Sequence, residues 1–366
     1  MNHPLAVLTP EAGVLSETFI EWDCNQLLPG LTAVVTDPPP AGETVAGPPW
    51  WTANGPALEL TPLPGDPLPT RKRQDAVAAF LDDHGVRVLL VEYLDLADRW
   101  FDLLQRLPIP VWVRGHGADL SARLHDGNAR LAALTGVIVP TCAARDRLTR
   151  ELLPVHHVHV VANHVDVPTE TSRPGPVGPV IRCLTVGRLV AKKGHIALLH
   201  AFAAARAGDP RLRLDLVGAG PLRPELDALV QSLDLPTSVR LLGARTPEEA
   251  LARTARADVY LQPCVTGPDG DREGQPLALL QAMAAARACI VTRHDGITET
   301  LTDGHSAYLI NENDVGQLTW AITTLASDPD ARHRLGRNAW QVAAARHSRE
   351  IAREQVLDLL GLWGYT

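Results

Sequence analysis

The chain has few lysines, few aromatic residues and no closely spaced cysteines. Only three of its 366 residues are lysine, Lys72, Lys192 and Lys193, and aromatic residues make up 4%. Arginine therefore supplies nearly all of the positive charge. Acids outnumber bases by 42 to 34, for a formal net charge of −8. Neither nucleic acid nor an anionic membrane surface is expected as a partner, so any anion-binding site must be local.

The cysteines and the apolar runs indicate the cellular compartment in which the protein is expected. The five cysteines are odd in number and widely scattered, which indicates reduced thiols rather than a disulfide framework or a zinc site. No apolar run is long enough to predict a membrane-spanning helix, and no targeting signal is visible. A cytoplasmic location is expected.

Short apolar runs alternate with helical sequence, which is typical of parallel βαβ units. Twelve runs predict two doubly wound α/β domains. In the first half the predicted strands are Leu5–Leu8, Thr32–Val35, Val86–Val91, Ile109–Val113, Gly136–Val139 and Val158–Val161. In the second half they are Ile181–Val186, Leu212–Val217, Val239–Leu242, Val259–Leu261, Cys289–Val291 and Ala307–Ile310.

Proline and glycine mark the domain limits. The stretch Val167–Pro179 is dense in both and predicts a linker, with domains at 1–172 and 173–348. The segment 349–366 reads as a further amphipathic helix. Proline clusters between Asp37 and Thr70 predict a surface loop inside the first domain.

The most informative segment runs from Asp271 to Gln281, where an acid and a glycine precede the start of a helix. Pro276 suits the first helical position, and Leu277 begins good helix sequence. Free N–H groups after Gly274 and Gln275 would face an anion, helped by the helix dipole. Glu273 is left for a hydroxyl-rich part of the ligand. A phosphate together with a polyol suggests a nucleotide sugar.

Other strand exits offer cations and glycines. Arg188 and Lys193 follow a predicted strand and suit a diphosphate, although a solvated basic turn is an equally good interpretation. Lys192 beside them reads as a solvated face. Further donor-binding candidates lie after strands, namely Gly13, Gly187, Gly218 and Arg245. A tight turn is the favoured interpretation of Gly218, and a plain βα turn is an equally good interpretation of Arg245.

His116 stands between two glycines directly after a predicted strand of the first domain, which favours a site over a structural role. Five residues near strand ends are candidates for the acceptor side: Glu17, Glu92, Asp95, Arg114 and Asp119. The run His156–His159 alternates in a short strand without an acid or thiol at ligand spacing nearby, so a polar strand edge is favoured over a metal site.

Four segments taken together resemble the retaining glycosyltransferases of family 4: Val186–Gly194, Leu216–Leu222, Asp269–Leu277 and Asp295–Glu299. Two more, Leu15–Ile20 and Gln262–Glu273, look like the colanic-acid and exopolysaccharide branch of that family. The resemblance implies the GT-B architecture, with two Rossmann-like domains facing an interdomain cleft and a C-terminal helix crossing back to the first domain.

The resemblance also implies roles. Arg188 and Lys193 would hold the diphosphate of a UDP- or GDP-sugar, Glu273 the sugar hydroxyls, and His116 would face the sugar. Transfer would proceed with retention at the anomeric carbon, without a cofactor or a required metal, to a small-molecule or glycan acceptor. Gln281 stands where the family has a second glutamate for the ribose, which puts nucleotide choice in doubt.

Two other classes of function remain open on the sequence. One is a binding subunit that keeps the fold but has lost transfer, suggested by Gln281. The other is an enzyme with the same cleft but different chemistry, either a sugar-nucleotide epimerase or a transferase joining non-glycosidic partners. The sequence does not fix the acceptor, the pathway or the oligomeric state.

Overall fold

The computed structural model describes residues 2–10, 18–37, 53–60, 68–120, 126–170, 179–268 and 270–365. Contacts divide the chain into two compact units. Unit 1 comprises residues 1–161 and 352–366, and unit 2 comprises residues 162–351. The division falls before the proline-rich stretch because the chain already makes unit 2 contacts there. Val165, for example, forms an isolated β-bridge with Ser348.

Unit 1 contains a parallel sheet of seven strands in the part of the chain that is described. The sheet order is β3-β2-β1-β4-β5-β6-β7, so the chain reverses its direction of growth between β1 and β4. The strands are β1 (Leu5–Thr9), β2 (Thr32–Thr36), β3 (Ala57–Glu59), β4 (Val88–Glu92), β5 (Val111–Arg114), β6 (Gly136–Val139) and β7 (Val158–Val160).

Helices cover both faces of this sheet. They are α1 (Thr18–Asn25), α2 (Arg71–Asp83), α3 (Leu94–Arg99), α4 (Phe101–Leu104) and α5 (Cys142–Glu151), with α13 (Arg349–Leu360) at the end of the chain. The alternation along β1 divides the core in two, because Ala6 and Leu8 belong to one apolar cluster and Leu5 and Val7 to the other.

Unit 2 has the same strand order over its described residues, β10-β9-β8-β11-β12-β13, and all of its pairs are parallel. Its strands are β8 (Ile181–Val186), β9 (Leu212–Val217), β10 (Val239–Leu241), β11 (Val259–Gln262), β12 (Ala288–Thr292) and β13 (Tyr308–Ile310). Its helices are α6 (His195–Gly208), α7 (Arg223–Ser232), α8 (Pro247–Arg256), α9 (Leu277–Ala284), α10 (Asp295–Thr298), α11 (Val315–Ser327) and α12 (Pro329–Arg346).

The prediction of two doubly wound α/β sets is confirmed, and each predicted strand is present to within two residues at either end. One strand was missed. The stretch Asp37–Thr70 was predicted to be a surface loop, but β3 pairs with β2 in register Val34 with Ala57 at the edge of the sheet. Its burial alternates exposed, half-buried and exposed over three residues, too short a pattern to reveal a strand.

The C-terminal helix packs on the first sheet, as the GT-B resemblance implies. Four of its residues are buried, Ala352, Val356, Leu357 and Leu360, and they belong to the same apolar cluster as Leu5, Val7 and Trp22. This packing explains the apolar stripe of the C-terminal helix, which follows the last strand of the second sheet.

Candidate functional site

The charged groups of unit 2 lie at the point where its strand order reverses. The segment 187–194 follows β8, and the segment 263–276 follows β11, the strand paired with β8 on the other side of the reversal. In open parallel sheets, ligands bind beyond the carboxyl ends of the strands at such a switch point. Main-chain contact joins the two segments, because Val265 N–H donates to Lys192 O at 2.8 Å.

Two lysines and two acids meet at this point. Lys193 Nζ lies 2.9 Å from Glu273 Oε1, and Lys192 Nζ lies 3.4 Å from the same oxygen. Lys192 Nζ also lies 2.7 Å from Asp271 Oδ2. All four side chains are at least 86% buried. The prediction that Lys192 is a solvated face is wrong, because the sharp turn before α6 points both neighbouring lysines toward carboxylates.

Burial and the neighbouring charges act in opposite directions on this cluster. Burial would raise the pKa of Glu273, but Lys193 and then Lys192 outweigh it and lower that pKa from 4.5 to about 2. Burial would lower the pKa of Lys193, but Glu273 outweighs it and the pKa is raised. Glu273 is therefore a carboxylate and Lys193 an ammonium at any ordinary pH.

Arg188 lies beside this cluster and is exposed. It is close enough for its charge to oppose that of Lys193. Within the described ranges its guanidinium makes no hydrogen bond or ion pair, whereas its main-chain oxygen accepts from His195 Nε2 at 3.1 Å. The turn after β8 thus places the charge of Arg188, which no described acid compensates, next to the buried ion pair of Lys193 and Glu273.

Glycine is required where these turns touch. A Cβ at Gly194, where φ is +67°, would lie 1.8 Å from Pro263 O. A Cβ at Gly218, where φ is +143°, would lie 1.8 Å from Gly187 O. Gly218 therefore has a structural reason to be glycine, because it lets the turns after β8 and β9 approach each other. Its contact with a donor stays a prediction.

Helix α9 begins beside Glu273. Pro276 is its N-cap, with φ −67° and ψ 126°, so the helix starts at Leu277, one residue later than predicted. Its start is held by Gln275, whose Oε1 accepts from Asn163 N–H at 2.6 Å and whose Nε2 donates to Thr300 Oγ1 at 3.2 Å. The side chain of Gln275 is thus engaged within unit 2.

The remaining donor-binding candidates lie around this point. A Cβ at Gly274 would have no heavy atom within 4 Å, so the space there is open. Leu277 and Gln281 are half-buried on the first turns of α9. Arg245 follows β10, and its Nη1 donates to Ala244 O at 2.8 Å. Contacts of these residues with a donor stay predictions.

Unit 1 holds a second buried charged cluster, also where its strand order reverses. Arg114 Nη1 donates to Asp23 Oδ2 at 2.6 Å, and His116 Nε2 lies 2.6 Å from Glu92 Oε2. Glu92 ends β4, and Asp23 lies on α1, which follows β1. The side chains of Asp23 and Glu92 are fully buried, and Asp23 Oδ1 and Glu92 Oε1 have no hydrogen-bond partner among the described residues. His116, Glu92 and Arg114 were predicted as site residues, but Asp23 was not.

The protonation of this cluster is shifted by burial. Burial raises the pKa of Asp23 well above its usual range, against the pull of Arg114. Burial raises the pKa of Glu92 to about 7, although Arg114 and the neighbouring Asp23 oppose it. Burial and then Arg114 lower the pKa of His116 to about 3. His116 is therefore neutral at physiological pH.

The stability of the protein is expected to respond to Glu92 in a pH-dependent way. Because its folded pKa lies above 4.5, its carboxyl contributes stability fully below pH 4.5 and loses that contribution as the pH rises through about 7. Glu92→Gln does not titrate. The unfolding free energy of the variant minus that of the wild type should therefore rise by about 3 kcal/mol from about pH 4.5 to about pH 8.

Urea unfolding across this pH range measures the difference. Asp98→Asn is a matched control, since Asp98 pairs with Arg130 on the surface of the same unit. Its unfolding free energy relative to wild type should stay flat with pH. A flat difference for Glu92→Gln would contradict the raised pKa.

Of the remaining predicted acceptor-side residues, one is described and two are not. Asp95 is exposed in the first turn of α3. Gly13 and Glu17, the first of these a donor-side candidate, lie outside the described residues, as does the side chain of Asp119. The roles of these four residues stay predictions.

The histidine run does not form a metal site in the described parts of the chain. His156 and His157 lie in a single 3-10 turn, His159 lies in β7, and His157 Nε2 is 3.2 Å from Leu131 O. Across the described ranges, no three His, Cys, Asp or Glu side chains come together as a metal-binding group. No helix in those ranges has the length and apolarity to cross a membrane.

Comparison with known proteins gives the class of this chain. The crystal structure of HepE from Anabaena in complex with UDP superposes with a TM-score of 0.78 at 16% identity, covering 99% of this chain and 100% of that one. The chain therefore has the GT-B fold. Residues 173–342 match the family described as Glycosyl transferases group 1.

Two curated relatives agree with this assignment. WcaL of Salmonella typhimurium, provisionally named a colanic acid biosynthesis glycosyltransferase, is 30% identical over 184 residues, which are 50% of this chain and 45% of that protein. A GDP-mannose-dependent alpha-(1-6)-phosphatidylinositol monomannoside mannosyltransferase of Mycolicibacterium smegmatis is 34% identical over 152 residues, 41% of this chain and 39% of that protein. The chain thus spans about half, or less, of the length of these relatives.

Proposed function

We propose that this protein is a retaining glycosyltransferase that moves a sugar from a nucleotide-diphosphate sugar to a small-molecule or glycan acceptor, without a required metal. The observation that carries the proposal is the ion pair of Lys193 with Glu273 at the start of α9, next to the exposed guanidinium of Arg188. This arrangement offers cations for a diphosphate and a carboxylate for hydroxyl groups within one short segment.

The leaving diphosphate is the part of the reaction that this site would stabilise. Arg188 can take two phosphate oxygens at once, and Lys193 supplies a second, compact positive charge. The free N–H groups of the first turn of α9 add the positive end of a helix dipole. These charges are fixed before the reaction, so they stabilise the transition state as negative charge develops on the leaving group. A divalent metal is then unnecessary.

Glu273 suits binding rather than proton transfer. Both lysines contact Oε1 of Glu273, and we propose that the carboxylate also accepts from a sugar hydroxyl. Because its pKa is lowered to about 2, Glu273 is a weak proton acceptor and a poor general base. This argues against an inverting displacement in which Glu273 is the general base.

The donor is a UDP- or GDP-sugar in this proposal. One relative is named as GDP-mannose-dependent, and a structural neighbour was crystallised with UDP. Gln281 can accept a hydrogen bond from one ribose hydroxyl and donate to another. Unit 1 would supply the acceptor side, where Asp95 is exposed, whereas Glu92 and Arg114 are buried and would act only from behind the surface. The five free cysteines fit a reducing, cytoplasmic location.

The experiment is incubation with UDP-, GDP- and ADP-sugars and pooled acceptors, followed by mass spectrometry and NMR of the product. The expected result is an acceptor adduct whose anomeric configuration matches that of the donor, with the rate unchanged by EDTA. An inverted product would contradict retention, and loss of the rate in EDTA would contradict metal independence. An isomerised donor would indicate an epimerase, and unchanged donor would indicate a binding protein.

A further inference from the structure

Lys192 is a buried lysine to which the proposed function assigns no role. Its side chain is 9% exposed and belongs to the short 3-10 turn Ala191–Lys193, which follows β8. Its ammonium lies 2.7 Å from Asp271 Oδ2 and 3.4 Å from Glu273 Oε1. A buried charge is costly unless it is paired. The position of this ammonium is therefore fixed by the two acids beside it.

The main chain of Lys192 holds the same segment at a second place. Its carbonyl oxygen accepts from Val265 N–H at 2.8 Å, shortly after the end of β11. Further along the segment, Gly267 N–H donates to Asp271 O at 2.7 Å. Lys192 thus joins the turn after β8 to the segment after β11 twice. Its backbone makes one connection at Val265, and its side chain makes the other at Asp271 and Glu273.

Lys193 is held differently from its neighbour. Its ammonium lies 2.9 Å from Glu273 Oε1, and among the described residues it pairs with no other acid. The two lysines share one carboxylate oxygen, but only Lys192 is also anchored to Asp271. A diphosphate would draw Lys193 toward itself. Lys192 would then be the cation that remains beside Glu273.

We propose that Lys192 is a positioning residue for the donor sugar: anchored by Asp271, its ammonium holds Glu273 in place while Lys193 serves the diphosphate. Groups that bind a ligand must be held within about 0.5 Å of their productive geometry by the residues around them. Lys192 acts through Glu273 and does not touch the donor. This inference rests on the proposed function, in which Glu273 accepts from a sugar hydroxyl.

Calorimetric titration separates the sugar from the nucleotide. UDP is compared with UDP-glucose, and GDP with GDP-mannose, for the wild type and for Lys192→Met, which keeps an unbranched stem and removes the charge. Lys192→Met should weaken binding of the nucleotide sugar about tenfold, and binding of the free diphosphate less than about threefold. Equal losses for the two ligands would overturn the proposal, because a general change in the fold acts on both.

Two further variants show whether Lys192 acts through its acids. In a Glu273→Gln background, Lys192→Met should not change the ratio of the two affinities further, because the carboxylate that it positions is gone. Asp271→Asn removes the charge that anchors Lys192, so it should change the ratio in the same direction as Lys192→Met. A further change in the double variant, or a wild-type ratio in folded Asp271→Asn, would overturn the assignment.

Hydrogen exchange followed by mass spectrometry tests the hold on the segment without any donor. In Lys192→Met, amides between residues 263 and 276 should exchange about tenfold faster or more, because the segment opens more readily without its side-chain tie. Lys72→Met is the matched control, since Lys72 is exposed on α2 of unit 1 and forms no ion pair within the described ranges. Its exchange and its affinities should match those of the wild type. Unchanged exchange in Lys192→Met would overturn the proposal.

These outcomes distinguish the role of Lys192 from the proposed function. If the wild type binds none of the four nucleotides while Lys192→Met exchanges faster, the proposed function and the role for the donor sugar are both contradicted. Lys192 would then hold the segment for another reason. If the protein binds and transfers sugar while exchange in Lys192→Met is unchanged, only the role of Lys192 is contradicted.

Discussion

Arg188→Ala is expected to lower the turnover number about 10²–10³-fold, the effect of removing one preorganised group that stabilises transition-state charge. The free energy of unfolding should change by no more than about 0.5 kcal/mol, because surface substitutions away from packed or paired groups have small effects. Arg188 is exposed, and its guanidinium has no partner within the described ranges. Steady-state kinetics with the active donor and urea unfolding measure the two quantities.

Arg182→Ala is the matched control for this variant. Arg182 is an exposed arginine near the start of β8, the strand that Arg188 follows, and its guanidinium is 3.9 Å from Asp258. Its loss should leave turnover unchanged. Wild-type turnover in folded Arg188→Ala would remove Arg188 from the diphosphate site.

Lys193→Ala is expected to lower both turnover and stability. Turnover should fall about 10²–10³-fold, for the same electrostatic reason as in Arg188→Ala. Glu273 would be left with Lys192 at 3.4 Å as its nearest cation, in a place where it is 90% buried. Breaking a buried ion pair costs about 3 kcal/mol or more. A lower free energy of unfolding should therefore distinguish Lys193→Ala from Arg188→Ala, although both variants lose turnover.

A double-mutant cycle isolates this ion pair. Lys193→Ala combined with Glu273→Ala should destabilise less than the sum of the single changes, by about 1–3 kcal/mol, because the double variant leaves neither charge unpaired. The exposed pair of Arg223 and Asp227 is the control, with an expected coupling of about 0.3–0.5 kcal/mol. Equal coupling free energies in the two cycles would show that the buried ion pair stabilises the protein no more than the exposed one.

The parallel strands were the part of the fold most readily predicted from the sequence. A strand covered on both faces is a nearly continuous apolar run, as in β4 and β12, so its position is visible without any partner. The edge strand β3 has no such run and exists because β2 offers free backbone groups beside it. Its formation depends on a tertiary contact with β2. The hydrophobic periodicity of the sequence does not reveal such a contact.

The charged segments of the candidate site in unit 2 were also visible in the sequence, but the pairing of their side chains was not. A glycine and a proline before an apolar helix mark the start of α9, and the strand exits mark Arg188 and Lys193. That Lys192 is buried against Asp271 depends on the turn that brings β8 and β11 segments together. Charge alone cannot separate such a lysine from a solvated one.

Asp23 was missed for a similar reason. An aspartate in a helix is usually a solvated residue, and only its neighbours Trp22 and Cys24, both buried, distinguish it here. The available signal was that Asp23 lies between two apolar residues on a short helix. Its partners Arg114, 91 positions away, and Glu92 are joined to it only by the fold.

The central claim is that the segment around Arg188, Lys193 and α9 holds a diphosphate, and nucleotide binding tests it without knowledge of the acceptor. Isothermal titration calorimetry would compare UDP with UMP and GDP with GMP, for the wild type and for Arg188→Ala. The wild type should bind one diphosphate more tightly than its monophosphate by about tenfold or more, and Arg188→Ala should lose most of that preference. Equal affinity for diphosphate and monophosphate in the wild type, for both bases, would contradict the account.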